Sequence, residues 1–320
     1  MHKIFFYLNK KPSPIALSIK VVGLETKLKK IKADVYLSHN VETLLPCFNA
    51  AKKNNAIIIF DSMEFHSDMG DAQSENDKKQ VEAIEEKCLP FCNLVLSSSP
   101  EVAKALQKKY SIKLPLTLEN VAPIQKKIFK KPKKGLHLYW RNTVIGLGHR
   151  GLEDILFSLK SLPEDIKLHL QGNLGFDRGK SVKKLIEKLE IKNRVIFHEP
   201  YKPNEAVREA SKFHIGLCLE RSGCKNHEYT TSNKIFDYHM AGMAVIASDL
   251  PGLRNVIKKS GGGLLFIPGS VSSLTKSVLS IYNNKKLLQK LSNKARKFAL
   301  KEANREVVIK TFKQAIQTII

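Results

Sequence analysis

Long apolar runs are absent from this sequence. None approaches the roughly 20 residues that a bilayer-spanning helix needs, so no membrane-spanning segment is expected. Cysteine is scarce. Cys47, Cys88, Cys92, Cys218 and Cys224 are an odd set without C-x-x-C spacing. That argues against a disulfide framework or a zinc ribbon and points to a reducing compartment. Cys88 and Cys92 lie one helical turn apart and read as partly buried thiols. The opening MHKIFFYLNKK has a short apolar run but no small-residue cleavage site, so it reads as a first strand and not as a signal peptide. Acidic residues are the other shortage: 30 against 54 lysines and arginines, a net charge of +24. Such an excess suits an anionic partner, whether a membrane surface, an acidic or phosphorylated glycan, or nucleic acid. Solvated lysine faces account for it as well. No nucleic-acid-binding motif accompanies the charge, which argues against the last partner. The expected location is the cytoplasm, with the inner face of the membrane as a place of contact.

What is present is enough apolar material for a full interior, 42% of 320 residues. The length suits two domains better than one core. Apolar runs alternate with helical periodicities along the chain. Strands are expected at 4–7, 35–38, 56–60, 94–97 and 116–118. Between them helices are expected at 14–31, from about 41 to 54, at 78–89 and at 101–110, with a mobile polar loop over 67–76. In the first helix Ile15, Ile19, Val22, Leu24 and Leu28 fall roughly on one side. The segment PIQKKIFKKPKK at 123–134 breaks this rhythm with two prolines and six lysines. It reads as a linker whose lysines are either solvated or turned to an anionic surface. A second alternation follows, with strands at 136–140, 166–170, 195–197, 215–219, 244–248 and 264–267 and a basic helical tail from 270. Strands alternating with helices mean parallel βαβ units. The expectation is an N-terminal domain over 1–122, the linker, a second domain over 135–304, and a final helix over 305–320.

The densest signal is EYTTSNKIFDYHMAGMAVIASDLPG, from Glu228 to Gly252. Thr230, Thr231, Ser232 and Asn233 suit a helix N-terminus. Ile235, Phe236, His239 and Met240 follow at helical spacing, with Gly242 closing the helix. AVIAS is then a buried strand. A loop of small polar residues feeding a helix start is an anion site, because free N–H groups and the helix dipole converge there. Asp237, in the second turn, is placed to accept two hydrogen bonds from a sugar diol. Arg141 and Arg150 fall at the end of strand 136–140 and at the start of the next helix, where open α/β sheets bind ligands. Lys234 adds a third cation. Each of the three also reads as a solvated surface charge.

The stretch N-K-I-F-D-Y-x-M-A-G-M-A-V-I-A-S-D-x-P-G resembles the donor-binding motif of retaining family 4 glycosyltransferases of the GT-B fold. The resemblance covers Gly135 to the C-terminus and, more weakly, Ala33 to Asn120. It implies two Rossmann-like, doubly wound parallel-sheet α/β domains with an interdomain cleft, and a last helix that crosses back to the first domain. It implies a nucleotide-sugar donor, UDP- or GDP-linked. The loop of Thr230, Thr231, Ser232 and Asn233 would hold the phosphates and Asp237, where the family more often has Glu, the ribose. Arg141, Arg150 and Lys234 stand where the family's G-R, K-G and phosphate-loop cations act on the leaving diphosphate. Arginine adds a bidentate fork. Gly172 and Gly175 match the loop after the second strand, and Tyr201 the place that cups the base. Glu228 is nearest in spacing to the donor-loop glutamate, although the common E-G-F-G form is missing and a solvated loop glutamate fits as well. In the first half, SHNVETL resembles H-D-x-x-T-L with Asn40 for the Asp, and DSMEF resembles D-x-H-E-L with Met63 for the His. His39, Asp61, Glu64 and His66 remain as acceptor-side candidates beside Asn40. No D-x-D metal motif occurs, so guanidinium and ammonium groups are expected to do a metal's electrostatic work, with no metal and no further cofactor.

The resemblance therefore implies a metal-independent, retaining enzyme. It would move sugar to a glycan or lipid-linked, anionic acceptor in envelope or capsule polysaccharide synthesis, in peripheral contact with an anionic membrane. Two rivals stay open. Asn40 and Met63 suit a non-catalytic GT-B partner subunit or glycan-binding protein, and the same fold also carries nucleotide-sugar epimerases.

Overall fold

The computed structural model describes residues 12–148 and 150–320. The expected strand at 4–7 and His149 lie outside the described residues. The chain divides into two compact units. One holds the described residues up to Glu119 together with Gly223–Thr230 and Lys310–Ile320, and the other holds Asn120–Ser222 and Thr231–Ile309. By this division the lysine-rich segment 123–134 belongs to the second unit. Gly223–Thr230, expected in the second domain, belongs to the first.

The first unit has a four-stranded parallel sheet: β1 Val35–His39, β2 Ile57–Ser62, β3 Leu94–Ser97 and β4 Leu116–Thr117, in the order β1-β2-β3-β4. Its helices Val41–Asn54, Glu75–Cys88 and Pro100–Tyr110 pack Leu44, Ile84 and Leu106 against Phe60 of β2. Each such side chain stabilises the fold by about 1.5–3 kcal/mol when fully buried. Ser99 caps the third helix by accepting from the Val102 N–H at 3.1 Å, with Pro100 at the first helical position.

Two expectations change here. The single helix over 14–31 is instead Pro14–Leu17, a 3₁₀ turn Ile19–Val21 and Leu24–Leu28. Ser18 is extended, Gly23 takes a left-handed φ of 71°, and Ile19 and Val22 end up exposed, so the apolar spacing there does not describe one buried face. The expected mobile loop over 67–76 is tied down. It contains the 3₁₀ turn Gly70–Ala72, and the Gln73 side chain accepts from the Met69 N–H at 3.1 Å and donates to the His66 carbonyl at 2.7 Å.

The second unit has six parallel strands: β5 Leu136–Ile145, β6 Ile166–Leu174, β7 Val195–His198, β8 Ile215–Cys218, β9 Ala244–Ser248 and β10 Gly263–Phe266. Their order is β10-β9-β8-β5-β6-β7, so the winding reverses between β5 and β8. Alternate residues face two cores. Leu138, Trp140, Leu217 and Ile246 pack with Ile155, Val182 and Leu274 of the helices Leu152–Leu159, Phe176–Lys188 and Val271–Tyr282. Tyr139, Cys218, Val245 and Ala247 pack with Phe236, Val256 and Phe298 of the helices Asn233–Met240, Pro251–Ser260 and Lys285–Lys301. The sheet is therefore covered on both faces, which is why AVIAS is buried at every position. The expected two-domain, doubly wound α/β architecture is the one observed.

β5 and β6 run further than expected, and their pairing shifts register between Arg141 and Val144. Gly172, expected in a loop after the second strand, lies inside β6. Its φ is 146°, and a Cβ there would stand 2.0 Å from the Asn142 carbonyl oxygen, so the backbone approach at this irregularity requires glycine.

Candidate active site

The charges of Arg141, Glu220, Lys234 and Asp237 all act on one buried group, the Cys218 thiol at the end of β8. Burial first, and then the Glu220 charge, push that thiol well above its ordinary range; Asp237 adds to the rise, while Lys234 and Arg141 oppose it. These residues come from β5, from the segment after β8, and from the Asn233–Met240 helix. They lie at the carboxyl ends of the two strands between which the winding reverses, where open α/β sheets form a ligand crevice.

The helix begins as the sequence predicts. Ser232 is its extended N-cap, and the serine side chain makes no capping hydrogen bond to the first turn. One turn on, Asp237 accepts a short hydrogen bond from Arg141 and forms an ion pair with it, the two side chains 16% and 17% exposed. Burial pushes the Asp237 carboxyl above the usual carboxylate range, and Arg141 offsets this only in part. Arg141 also donates to the Tyr201 hydroxyl at 2.5 Å and lies over the Tyr201 and Tyr238 rings at 5.8 and 5.9 Å. Tyr139 donates to Gln171 at 2.5 Å, and Gln171 donates to the Glu199 carbonyl at 2.9 Å, fixing the segment that leads into Tyr201.

Glu220 anchors a second group. Lys234 Nζ is 3.4 Å and Arg150 Nη1 3.8 Å from its carboxylate. Burial alone would raise the Glu220 pKa, but Lys234 and Arg150 prevail and hold it below the usual range. Gly151 packs against Leu219 so closely that a Cβ would meet the Leu219 carbonyl oxygen at 2.1 Å, which brings the Leu152–Leu159 helix and Arg150 up to Glu220. Among the described residues, Arg141 Nε, Glu220 Oε2 and the Tyr238 hydroxyl are buried here with no hydrogen-bond partner. Such orphans are rare in folded proteins and call for an explanation.

The structure thus brings together Arg141, Arg150, Lys234, Asp237 and Tyr201 of the expected set. Ser232 and Asn233 begin the helix, and the Thr231 hydroxyl donates to the Gly252 carbonyl at 3.5 Å. Glu228 and Thr230 belong to the other unit, where Glu228 lies in the short helix Lys225–Tyr229 and the Thr230 hydroxyl donates to the Asn226 carbonyl at 2.6 Å. Sequence reasoning missed the weight of Glu220, Tyr238 and Gln171. Glu220 carried one signal: it follows directly on the apolar run that ends at Leu219.

In the first unit, His39 and Asp61 stand opposite each other at the carboxyl ends of β1 and β2, with Nδ1 and Oδ2 2.8 Å apart. Asn40 has a positive φ of 67° and leads into the Val41–Asn54 helix. The Glu64 carbonyl accepts from the Ser62 hydroxyl at 2.9 Å. His66 is buried against Phe60, and burial lowers its pKa to about 4. Its ring is a packed core group and not a surface acid or base.

A row of histidines crosses the second sheet. His137 Nδ1 meets His169 Nε2 at 2.8 Å, and His169 Nδ1 meets His198 Nε2 at 2.8 Å. His214 Nδ1 accepts from the His137 backbone N–H at 3.1 Å. Burial, with the neighbouring rings, lowers the His169 pKa to about 3, and burial with Lys131 lowers that of His214 to about 4. Burial and Lys212 lower that of His198. Among the described residues, no group of three or more His, Cys, Asp or Glu is arranged to hold a metal ion, and no helix is long and apolar enough to cross a membrane.

Comparison with known proteins bears on this geometry. The model of a family described as glycosyl transferases group 1 matches residues 125–298. Solved structures similar to the chain include HepE from Anabaena in complex with UDP, at 12% identity and a TM-score of 0.78, covering 95% of this chain and 83% of that one. Sucrose-phosphate synthase from Thermosynechococcus elongatus matches at 14% identity and a TM-score of 0.73, over 93% and 77% of the two chains. The lipopolysaccharide outer core galactosyltransferase WaaB matches at 17% and 0.68, over 94% and 79%. At these identities the likeness is one of fold. No curated protein sequence matches.

Proposed function

Since the chain belongs to the glycosyl transferases group 1 family and is a glycosyltransferase of the GT-B fold, we propose that it moves a sugar from a UDP- or GDP-linked donor to a glycan or lipid-linked acceptor in envelope or capsule polysaccharide synthesis. The observation that carries the donor reading is the charged cluster at the carboxyl ends of β5 and β8, with three cations on two carboxylates and three orphaned polar atoms. The HepE structures in complex with UDP and UDP-glucose support a nucleotide-sugar donor. The lipopolysaccharide galactosyltransferase supports an envelope acceptor.

In this reading Lys234, Arg150 and the amides at the Asn233 helix start take up the charge of the departing diphosphate, doing electrostatically what a metal does in other transferases. Asp237 is held by Arg141 through Oδ2 and offers Oδ1 to a ribose hydroxyl. Arg141 acts on the nucleotide both directly, through its free Nε, and by fixing Asp237 and Tyr201. Donor binding then exchanges the Glu220 contacts of Lys234 and Arg150 for phosphate contacts. The His39–Asp61 pair is the acceptor-side group, and the sugar keeps its anomeric configuration.

Thermal melting with a panel of nucleoside diphosphates, with magnesium and with EDTA, tests this on the native chain and on Asp237→Ala. A ligand that binds the folded state raises the melting point by mass action. A rise with UDP or GDP that survives EDTA and disappears in Asp237→Ala is the expected result. No rise with any nucleotide overturns the donor reading.

A further inference from the structure

The second unit carries another basic site, at the opposite end of its sheet. A cavity of about 800 Å³ opens beside the amino ends of β5, β6, β8 and β9, where Gly135, Asp165, His214 and Gly242 precede their strands. Lys130, Lys131, Lys133, Lys285 and Arg296 line it. The only lining carboxylate is Asp165, and it accepts from the Tyr282 hydroxyl at 2.8 Å. None of the five cations forms an ion pair among the described residues. Both segments that supply them, 123–134 and Lys285–Lys301, contain no acidic residue at all.

The two inner cations are already placed by neutral partners. Lys131 Nζ donates to the Gly242 carbonyl, and Arg296 donates to the carbonyls of Met240 and Gln125. Carbonyls orient these groups without cancelling their charge. Lys131 is half-buried, and burial lowers its pKa to about 8. Lys130, Lys133 and Lys285 are exposed at the rim. Unneutralised cations gathered round a concave, partly desolvated space repel one another and favour an entering anion. Hydroxyl and amide groups of Ser292, Asn293 and Gln289 in the same lining add hydrogen-bonding partners for its oxygens.

We propose that this cavity is a second anion site, taking a phosphate-bearing group with more than one negative charge, separate from the crevice at the carboxyl ends of the strands. The phosphate belongs either to a free phosphorylated molecule or to a lipid headgroup. The inference does not depend on the donor chemistry proposed above.

Isothermal titration with inorganic pyrophosphate tests it, on the native chain, on Lys234→Ala and on Lys133→Glu/Lys285→Glu. Lys183→Glu/Lys184→Glu makes the same charge change on exposed residues outside the lining. Co-sedimentation of the same four proteins with phosphatidylcholine vesicles that contain cardiolipin, whose headgroup carries two phosphates, and with pure phosphatidylcholine vesicles as the neutral reference, separates the two phosphate sources. The expected result is binding that persists in Lys234→Ala and in the Lys183/Lys184 control but weakens by roughly tenfold or more in Lys133→Glu/Lys285→Glu. If the loss is seen with pyrophosphate, the ligand is a free phosphate. If it is seen only with anionic vesicles, the ligand is a headgroup. Equal losses in the two charge-reversed proteins, or no loss in either, overturn the site. Pyrophosphate binding that only Lys234→Ala abolishes assigns it to the donor crevice and equally overturns the proposal.

Discussion

The Asn233–Met240 helix is held by cations at both ends, in opposite ways. Near its start, Arg141 and Lys234 meet carboxylates, Asp237 and Glu220. At its finish, Lys131 and Arg296 meet neutral groups: the Gly242 carbonyl, the Met240 carbonyl and sulfur, and the Gln125 carbonyl. Cations at a helix C-terminus complement the dipole, so the finish is stabilised without any counter-charge. The start would suit an anion, and there the protein neutralises its cations in advance with its own carboxylates. The difference separates a crevice whose charges must be exchanged when a ligand enters from a cavity whose charges are still open.

Breaking the first end should have the largest effect. Arg141→Ala leaves Asp237 buried without its partner, and removing one member of such a pair destabilises by about 3–5 kcal/mol. Urea denaturation of the single variant should show that loss, whereas Arg141→Leu/Asp237→Leu should recover most of it. A double variant as unstable as the single one would mean that the loss comes from elsewhere in the Arg141 surroundings. The next effect is set by pH. The fold holds the His169, His198 and His214 rings below their ordinary pKa, so below about pH 6.5 the unfolded chain binds more protons than the folded one. The histidine contribution to stability should therefore be full above pH 6.5. It should fall as the pH drops towards 3–4, where the folded His169 and His214 protonate as well. A His169→Gln variant should flatten that slope in a pH series of melts. At the helix finish, Arg296→Ala strips two carbonyls of their donor and should cost about 1–3 kcal/mol, while nucleotide affinity stays within error. A loss of nucleotide affinity instead would show that the two ends are coupled through the helix. Smallest of all, Lys212→Ala removes a surface pair with Glu209 and should change stability by about 0–1 kcal/mol in the same urea experiment.

The helix, strand and loop from Thr231 to Ser248 were legible because the whole signal is local: small polar residues, a helical apolar spacing, then five apolar or small residues in a row. The parallel sheets were legible from alternation. The pairing of Arg141 with Asp237 was not, since it joins a strand and a helix 96 residues apart in the chain. The same holds for Glu220, whose burial depends on the Gly151 approach and not on its neighbours in sequence. Gly172 was read as a loop glycine because the resemblance sets a loop after the second strand there. Here it sits within one, at the point where β5 loses register. The break at Ser18 and Gly23 was hidden by an apolar spacing that happens to fit a helix while two of its members face solvent.

The histidine row has a direction. His137 Nε2 faces the Lys134 carbonyl at 3.1 Å and His214 Nε2 the Pro132 carbonyl at 3.1 Å, and a carbonyl only accepts. With the rings uncharged, the His137 proton is therefore on Nε2 and its Nδ1 is bare. That forces the His169 proton onto Nε2 in turn, and then the His198 proton as well. Each ring dictates the tautomer of the next, two residues further along its strand at every step. The three stacked imidazoles thus form one polarised line of dipoles, anchored at a single carbonyl and ending in the bare Nδ1 of His198. A proton arriving at that end is the only one the line can accept without breaking a link.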